Sequence, residues 1–195
     1  MDMENNISPN GMSLRRARKT EAQEVLSLYG SVIGAAGCVW DEYYPGSETI
    51  ARDLENGCLY VYTDKNGVII GAVSVDLPRE LDDIAAWRVC DGTQCEIARV
   101  VIAPESQGHG YAAAMLSNLF GILAAGGCHA VHLLVSKSNP AAIKTYRRLG
   151  FDILGECHMY DADFYICEKP MGTAVGSLTE SSEKQGAFDE KHSEQ

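Results

Sequence analysis

No stretch of this 195-residue chain carries an apolar run long enough to cross a bilayer. It also lacks a basic excess: 16 lysines and arginines stand against 27 acids, for a net charge of −11. A field of that sign repels nucleic acid and anionic membranes, so neither is expected as a partner. The first ten residues are acidic and polar, without the basic-then-apolar order of a signal peptide, and a cytoplasmic location is the expectation. Seven cysteines make an odd count, and several sit inside apolar runs. Reduced, buried thiols fit that pattern better than a disulfide framework. Cys128 and His129 lie near His132, but no second ligand cluster has matching spacing. Strand alternation would send the two histidines to opposite faces, so no metal is expected. No internal repeat is present.

What the chain has is enough apolar residue, 46%, to build one core. The acid excess suits a cationic acceptor such as an amine. An anionic cofactor would then need a local site built from backbone amides. Residues 1–11 read as a flexible leader, 12–171 as the folded domain, and 172–195 as an acidic disordered tail.

Within the domain, helix and strand patterns alternate. Met12–Arg18 reads as a strand. Thr20 with Gln23 forms a capping-box pattern ahead of a helix with Val25, Leu28, Tyr29, Val32 and Ile33 on one face. Ser47 is placed to cap a helix carrying Ile50 and Leu54 and stopped by Gly57. Cys58–Thr63 and Val68–Val75 flank an Asn66-Gly67 turn as a hairpin. Residues 77–94 are irregular. Glu96–Ile102 is a strand, and a glycine-bearing loop leads into a helix with Met115, Leu116, Leu119, Phe120 and Leu123. Val131–Val135 is a buried strand, and Asn139-Pro140 opens a helix ended by Gly150. Phe151–Glu156 and Phe164–Glu168 close the set. The expectation is a mixed α/β (α+β) domain of about seven strands and four helices.

The segment Gln107-Gly108-His109-Gly110-Tyr111-Ala112-Ala113 joins a strand to a helix. Two glycines let successive amides turn inward, and small residues open the first helical turn to a ligand. A helix N-terminus favours phosphate without any side-chain cation. Gly108-x-Gly110-x-x-Ala113 also fits a dinucleotide fingerprint. That reading wants an acid after the next strand, where Leu133–Lys137 offers none. A plain tight turn is the remaining alternative.

Four features together resemble the GCN5-related N-acetyltransferase (GNAT) superfamily. Glu96–Pro104 looks like its central strand, and Gln107-x-x-Gly110-x-Ala112 matches its cofactor signature. Ser138–Ile143 with Tyr146–Phe151 looks like its last helix and following strand. The order of elements from Met12 onward is similar as well, so the resemblance covers roughly residues 12–170. It implies a sheet whose fourth and fifth strands splay, with acetyl-CoA in the gap. Pantetheine would meet the backbone of Val100, Val101 and Ile102, and pyrophosphate the amides of Gly108 to Ala113. The loop lacks the basic residue that many members carry at Gln107, Gly108 or His109.

The resemblance also implies direct attack of an amine on a thioester, the amine belonging to a small molecule or a peptide. Glu96 is the candidate base and Tyr146 the candidate donor to the departing thiolate. Their alternatives are a strand-end acid and a packed aromatic. Some relatives carry a glutamate on the fifth strand, where this chain has Leu134. Asn139 reads both as a cap and as a cofactor contact. Trp40, Asp41, Tyr44, Trp87, His158 and Tyr165 are candidates for the acceptor pocket, and packing on the core competes with that reading. A non-catalytic acetyl-CoA sensor is the functional alternative, and a monomer or homodimer is expected.

Overall fold

The computed structural model of the chain describes residues 6–7, 11–76, 81, 87–89 and 91–171. Β-branched and aromatic residues build one eight-stranded sheet. Its strands are β1 (Asn6–Ile7), β2 (Ser13–Arg16), β3 (Leu59–Thr63), β4 (Ile69–Asp76), β5 (Thr93–Ile102), β6 (Cys128–Ser136), β7 (Asp152–Met159) and β8 (Ala162–Pro170). The order across the sheet is β1-β2-β3-β4-β5-β6-β8-β7. Only β5 and β6 run parallel; the other neighbours are antiparallel. A parallel pair needs a crossover, and α3 (Tyr111–Ala125) supplies it.

Alternation sorts the side chains into two cores. On one face, Met115, Leu116, Leu119 and Phe120 of α3 pack with Ile97, Val131, Leu133 and Cys167, and Tyr146 of α4 (Pro140–Arg148) joins them. On the other face, Val25, Leu28 and Tyr29 of α1 (Ala22–Gly30) and Ile50 of α2 (Ser47–Glu55) cover Leu59, Val61, Ala72 and Val101. Burial of such side chains contributes about 1.5–3 kcal/mol each, offset largely by chain entropy.

Several boundaries differ from the sequence reading, each for a local reason. The first helix is opened by Glu21, not by Thr20 with Gln23. The Glu21 carboxylate accepts from the Arg18 amide at 2.7 Å and from both Arg15 nitrogens at 2.9 and 2.6 Å. A pair of charge-assisted bonds outcompetes a hydroxyl cap. Ser47 is the first helical residue of α2 and Gly46 its N-cap, without a side-chain bond. Asn6–Ile7 adds a short strand inside the stretch expected as leader. Most of 77–86 and the expected tail 172–195 lie outside the described residues.

One shift matters for chemistry. β5 begins at Thr93, three residues before the expected start, so Glu96 is the fourth residue of the strand rather than its first. It is also the last residue of β5 in register with β6, opposite His132.

Candidate active site

Beyond Glu96 and His132 the two parallel strands part. β5 continues to Ile102 and β6 to Ser136, with no pairing between them. From Ile97 onward the β6-side edge of β5 therefore offers backbone groups to a gap rather than to a strand. Buried backbone groups demand partners, so this edge fits an extended ligand carrying amides.

On its other side β5 stays paired with β4, but the register shifts between Ala72 and Ser74. Arg99 lies within this bulge with φ +54°, a left-handed conformation that costs a non-glycine residue about 1–2 kcal/mol. What holds it there is its guanidinium. Nε donates to Asp53 Oδ2 at 2.9 Å and Ser74 Oγ at 3.2 Å, and Nη2 donates to Asp76 Oδ2 at 2.7 Å and Asp53 Oδ1 at 3.3 Å. Nη1 donates to the Tyr44 hydroxyl at 3.2 Å. Burial works against the charge, yet Tyr44, Asp53 and Asp76 more than offset it and push the guanidinium's pKa further up. Donor atoms of Asp53, Cys58 and Asp76 lie within 4.8 Å of one another. Arg99 already neutralises that cluster, so the residues fit a guanidinium rather than a metal ion.

At the mouth of the gap stands the N-terminus of α3. Gly108 and Gly110 have φ +79° and +81°, and a β-carbon added at either would meet open space. The first bond of the helix is given by Ala114 to the Gly110 carbonyl at 3.1 Å. The preceding amides therefore have no helical acceptor and point toward the helix entrance. Gln107 does something the sequence did not reveal. Its side-chain amide turns back and donates to the Ile102 carbonyl at 2.9 Å, so it shapes the loop and takes one of the strand groups expected to face a ligand. His109 is exposed, its ring 5.7 Å from that of Tyr111.

Across the gap, Asn139 accepts from the Ala142 amide at 3.0 Å, as its capping role requires. Tyr146 is buried, edge-on to Phe151 at 5.6 Å, among Val135, Ile143, Ile153 and Cys167. Burial first, and Cys167 second, push its phenol above the ordinary value. Full proton transfer to a thiolate is thus steeper than the sequence suggested, and a hydrogen bond is the easier service.

The acceptor candidates do not form one pocket. Trp40 packs edge-on to Tyr29 at 5.4 Å. Asp41 Oδ1 accepts from the Tyr43 and Tyr44 amides at 2.8 and 2.9 Å, folding the loop that presents Tyr44 to Arg99. Trp87 stacks on His132 at 3.8 Å, and His132 Nε2 lies 3.2 Å from Glu168 Oε2. That same oxygen accepts from the Arg88 and Val89 amides at 3.0 and 3.1 Å. Tyr165 is on the opposite face, packed against the α3 core under Lys137. His158 is exposed on β7 and pairs with Asp163 at 2.9 Å. A one-residue offset in a strand reverses the face, and this separates Tyr165 from Glu168 and hence from Trp87 and His132. Sequence reasoning missed Arg99, Asp53 and Asp76; the one signal was a charged residue inside an apolar strand.

A sheet parted between two parallel strands, with a helix N-terminus at its mouth, offers backbone groups to an extended, phosphate-bearing ligand. Residues 24–151 match the model of the acetyltransferase (GNAT) family. The chain belongs to that family. It is 23% identical over 150 residues to the L-amino acid N-acyltransferase MnaT of Escherichia coli, covering 74% of this chain and 82% of the relative. A GNAT-family acetyltransferase from Streptococcus agalactiae superposes with a TM-score of 0.73 at 20% identity, covering 85% of this chain and 98% of that one. A GNAT-superfamily phosphinothricin acetyltransferase from Sinorhizobium meliloti, solved in complex with acetyl-CoA, gives 0.65 at 23% identity, covering 89% and 94%.

The fold class expected from the sequence is the one observed. The chain is an N-acetyltransferase that uses acetyl-CoA as donor. The comparisons speak for the enzyme and against the sensor alternative. No helix among the described residues is long and apolar enough to cross a membrane.

Proposed function

We propose that this enzyme acetylates the amino group of a small, amino-acid-like acceptor, and that the parted β5–β6 pair is where transfer occurs. The parting after Glu96 and His132 is the observation that carries the reading. The acceptor class is supported by the likeness to the L-amino acid N-acyltransferase MnaT. A net charge of −11 supports an amine over an anionic acceptor.

The amides of Gly108 to Ala113 hold the pyrophosphate, and the open edge of Val100 and Val101 holds the pantetheine. Ile102 contributes through its amide, because its carbonyl is engaged by Gln107. Acetyl-CoA, once bound, supplies a thioester acyl group and a thiolate leaving group. Glu96, at the last paired position of β5, accepts the proton of the acceptor ammonium through water. A bulge amide donates toward the oxygen that gains negative charge. Tyr146 donates a hydrogen bond to the leaving sulfur, and Asn139 steadies the cofactor from the α4 side. Tyr44, Trp40, Asp41 and Trp87 border the acceptor on the α1–α2 face. Tyr165, packed on the α3 core, and His158, paired with Asp163, are left out of this acceptor site. The enzyme works in the cytoplasm as a monomer or homodimer, without nucleic acid or membrane partners.

The test is thiol release from acetyl-CoA over a panel of free L-amino acids, their amides and short peptides. Release with free amino acids above peptides is expected. Release with peptides alone overturns the acceptor class, and loss of thermal stabilisation by acetyl-CoA overturns the site. Light scattering on the purified chain reads the oligomeric state.

A further inference from the structure

Strand register sets a row of titratable residues side by side across the sheet. Asp76 of β4 lies opposite Glu96 of β5, Glu96 opposite His132 of β6, His132 opposite Glu168 of β8, and Glu168 opposite Asp152 of β7. Their sequence neighbours Ile97, Val131, Leu133 and Cys167 belong to the α3 core. Alternation therefore places the row on the other face of the sheet. Adjacent strands lie about 4.8 Å apart, so each member feels the charge of the next. The outer members are matched by arginines: Asp76 takes Arg99 at 2.7 Å, and Asp152 takes Arg88 at 2.5 Å.

His132 is the centre of the row, and both it and Glu168 are fully buried. Glu168 Oε2 accepts from the Arg88 and Val89 amides, and Oε1 lies 3.4 Å from Arg88 Nε. A side chain that collects donors in this way acts as a carboxylate, so His132 Nε2, 3.2 Å from Oε2, carries the proton of that contact. The Trp87 indole lies flat on the imidazole, 3° from parallel, and its Nε1 is tied to the Leu81 carbonyl at 2.8 Å. An indole face favours a cation stacked on it. The charges that face the ring are Glu96 from β5 and Glu168 from β8, with Asp76 and Asp152 one strand further out. Arg88 and Arg99 are the cations on this face, each bound to its own acids. Burial opposes a charge on His132, but a carboxylate on each side of the ring outweighs it.

We propose that His132, clamped between Glu168 and Trp87, is a positioning residue for Glu96: a buried imidazolium that holds the Glu96 carboxylate charged and in place where β5 and β6 part. This rests on the assignment of Glu96 as the base. Glu96 is half-buried and stands opposite Asp76, two conditions that favour its protonated form. A protonated Glu96 takes nothing from an acceptor ammonium. The cation on the β6 side counters both conditions, and Glu168 supplies the opposite charge that lets this cation stay buried. His132 thus acts through Glu96 and has no contact with the acetyl-CoA site of its own.

Nuclear magnetic resonance reads both groups without any acceptor. The His132 ring is followed by its nitrogen shifts and Glu96 by its carboxyl carbon, each assigned by its loss in His132→Gln and Glu96→Gln. In the wild-type protein both His132 nitrogens should stay protonated up to about pH 8, against a midpoint of about 6.5 for an ordinary histidine. Glu168→Gln should lower that midpoint by at least about one pH unit. His132→Gln should raise the Glu96 midpoint by about one unit, because the carboxylate loses its neighbouring cation. Thiol release with the free L-amino acids should then fall about tenfold in His132→Gln, with acetyl-CoA affinity by calorimetry within about twofold. A wild-type His132 that is neutral at pH 7 overturns the proposal, and this reading needs no variant to fold beyond those used for assignment. A Glu96 midpoint that is the same in wild type, His132→Gln and Glu168→Gln overturns it as well. Full turnover in Glu96→Gln would instead overturn the assignment of the base on which it rests.

Discussion

The two sides of β5 solve different problems. On the β6 side the strand is bare beyond Glu96, and what it offers a ligand is backbone: an open edge leading to the amides ahead of α3. On the α1–α2 face it carries a side-chain network, in which one buried arginine binds two aspartates, a serine and a tyrosine. The first side needs little from residue identity except room, which Gly108 and Gly110 give. The second depends on every member, because a buried charge that loses its partner is left uncompensated. On the proposed reading, an acidic protein holds an anionic cofactor by backbone dipoles, while the basic residue nearby is committed to structure.

This contrast can be broken most severely at Asp53. Asp53→Ala should cost about 3–5 kcal/mol, the usual loss when one partner of a buried ion pair is removed. A thermal melt should show a fall of about 10 °C, and an unchanged midpoint would mean that Asp76 alone suffices for Arg99. Next in size is Gly110→Glu on the backbone side. Bulk and negative charge at the helix entrance should weaken acetyl-CoA at least about 100-fold, near 2.7 kcal/mol. Calorimetry reads this directly; the positive φ of Gly110 adds a backbone strain of about 1–2 kcal/mol, below the loss at Asp53, because the added side chain meets no neighbour.

Tyr146→Phe tests the opposite bank. Turnover should fall about 10- to 100-fold, or about 1.5–2.7 kcal/mol, the worth of a hydrogen bond to a charged group, with acetyl-CoA affinity within about twofold. Because burial already raises the phenol's pKa, the wild-type rate should show no loss from its ionisation up to about pH 9. A kcat equal to wild type would leave Tyr146 as packing alone. The smallest effect lies at the entrance to α1. The Arg15 bond, opposed by burial, holds the Glu21 carboxyl below its ordinary value of 4.5. A group whose folded pKa is depressed stabilises the protein above its unfolded pKa, and that contribution fades as pH falls through the folded value. Glu21→Gln should lower the melting temperature slightly at pH 7, and the gap to wild type should close as pH falls from about 5 to about 3. Parallel pH curves for the two proteins would count against this pair.

The sequence made the backbone side of this comparison readable and left the side-chain side dark. Glycines at 108 and 110, Asn139 before Pro140 and the apolar spacing of α3 are local signals, and each has the conformation it announced. Arg99 gave no such signal. Its partners stand 55, 46, 25 and 23 positions away, on a loop, a helix and the neighbouring strand. Glu96 was found as a residue but misplaced within its strand, because the polar composition before it hid the first three residues of β5. The acceptor aromatics were gathered by type, and type does not say which face of a strand a residue occupies, which is why Tyr165 was grouped with Trp87.

By itself, then, the sequence determined the class of fold, the glycine turn ahead of α3 and the family to which the chain belongs, since periodicity, glycine placement and caps act within a few residues. Only the tertiary structure decided that β5 parts from β6 after Glu96, that Gln107 closes on Ile102 and that Arg99 joins the bulge to Tyr44. Strand register and buried charge pairing are set by groups distant in the chain, and their energies exist only once the core has brought those groups together.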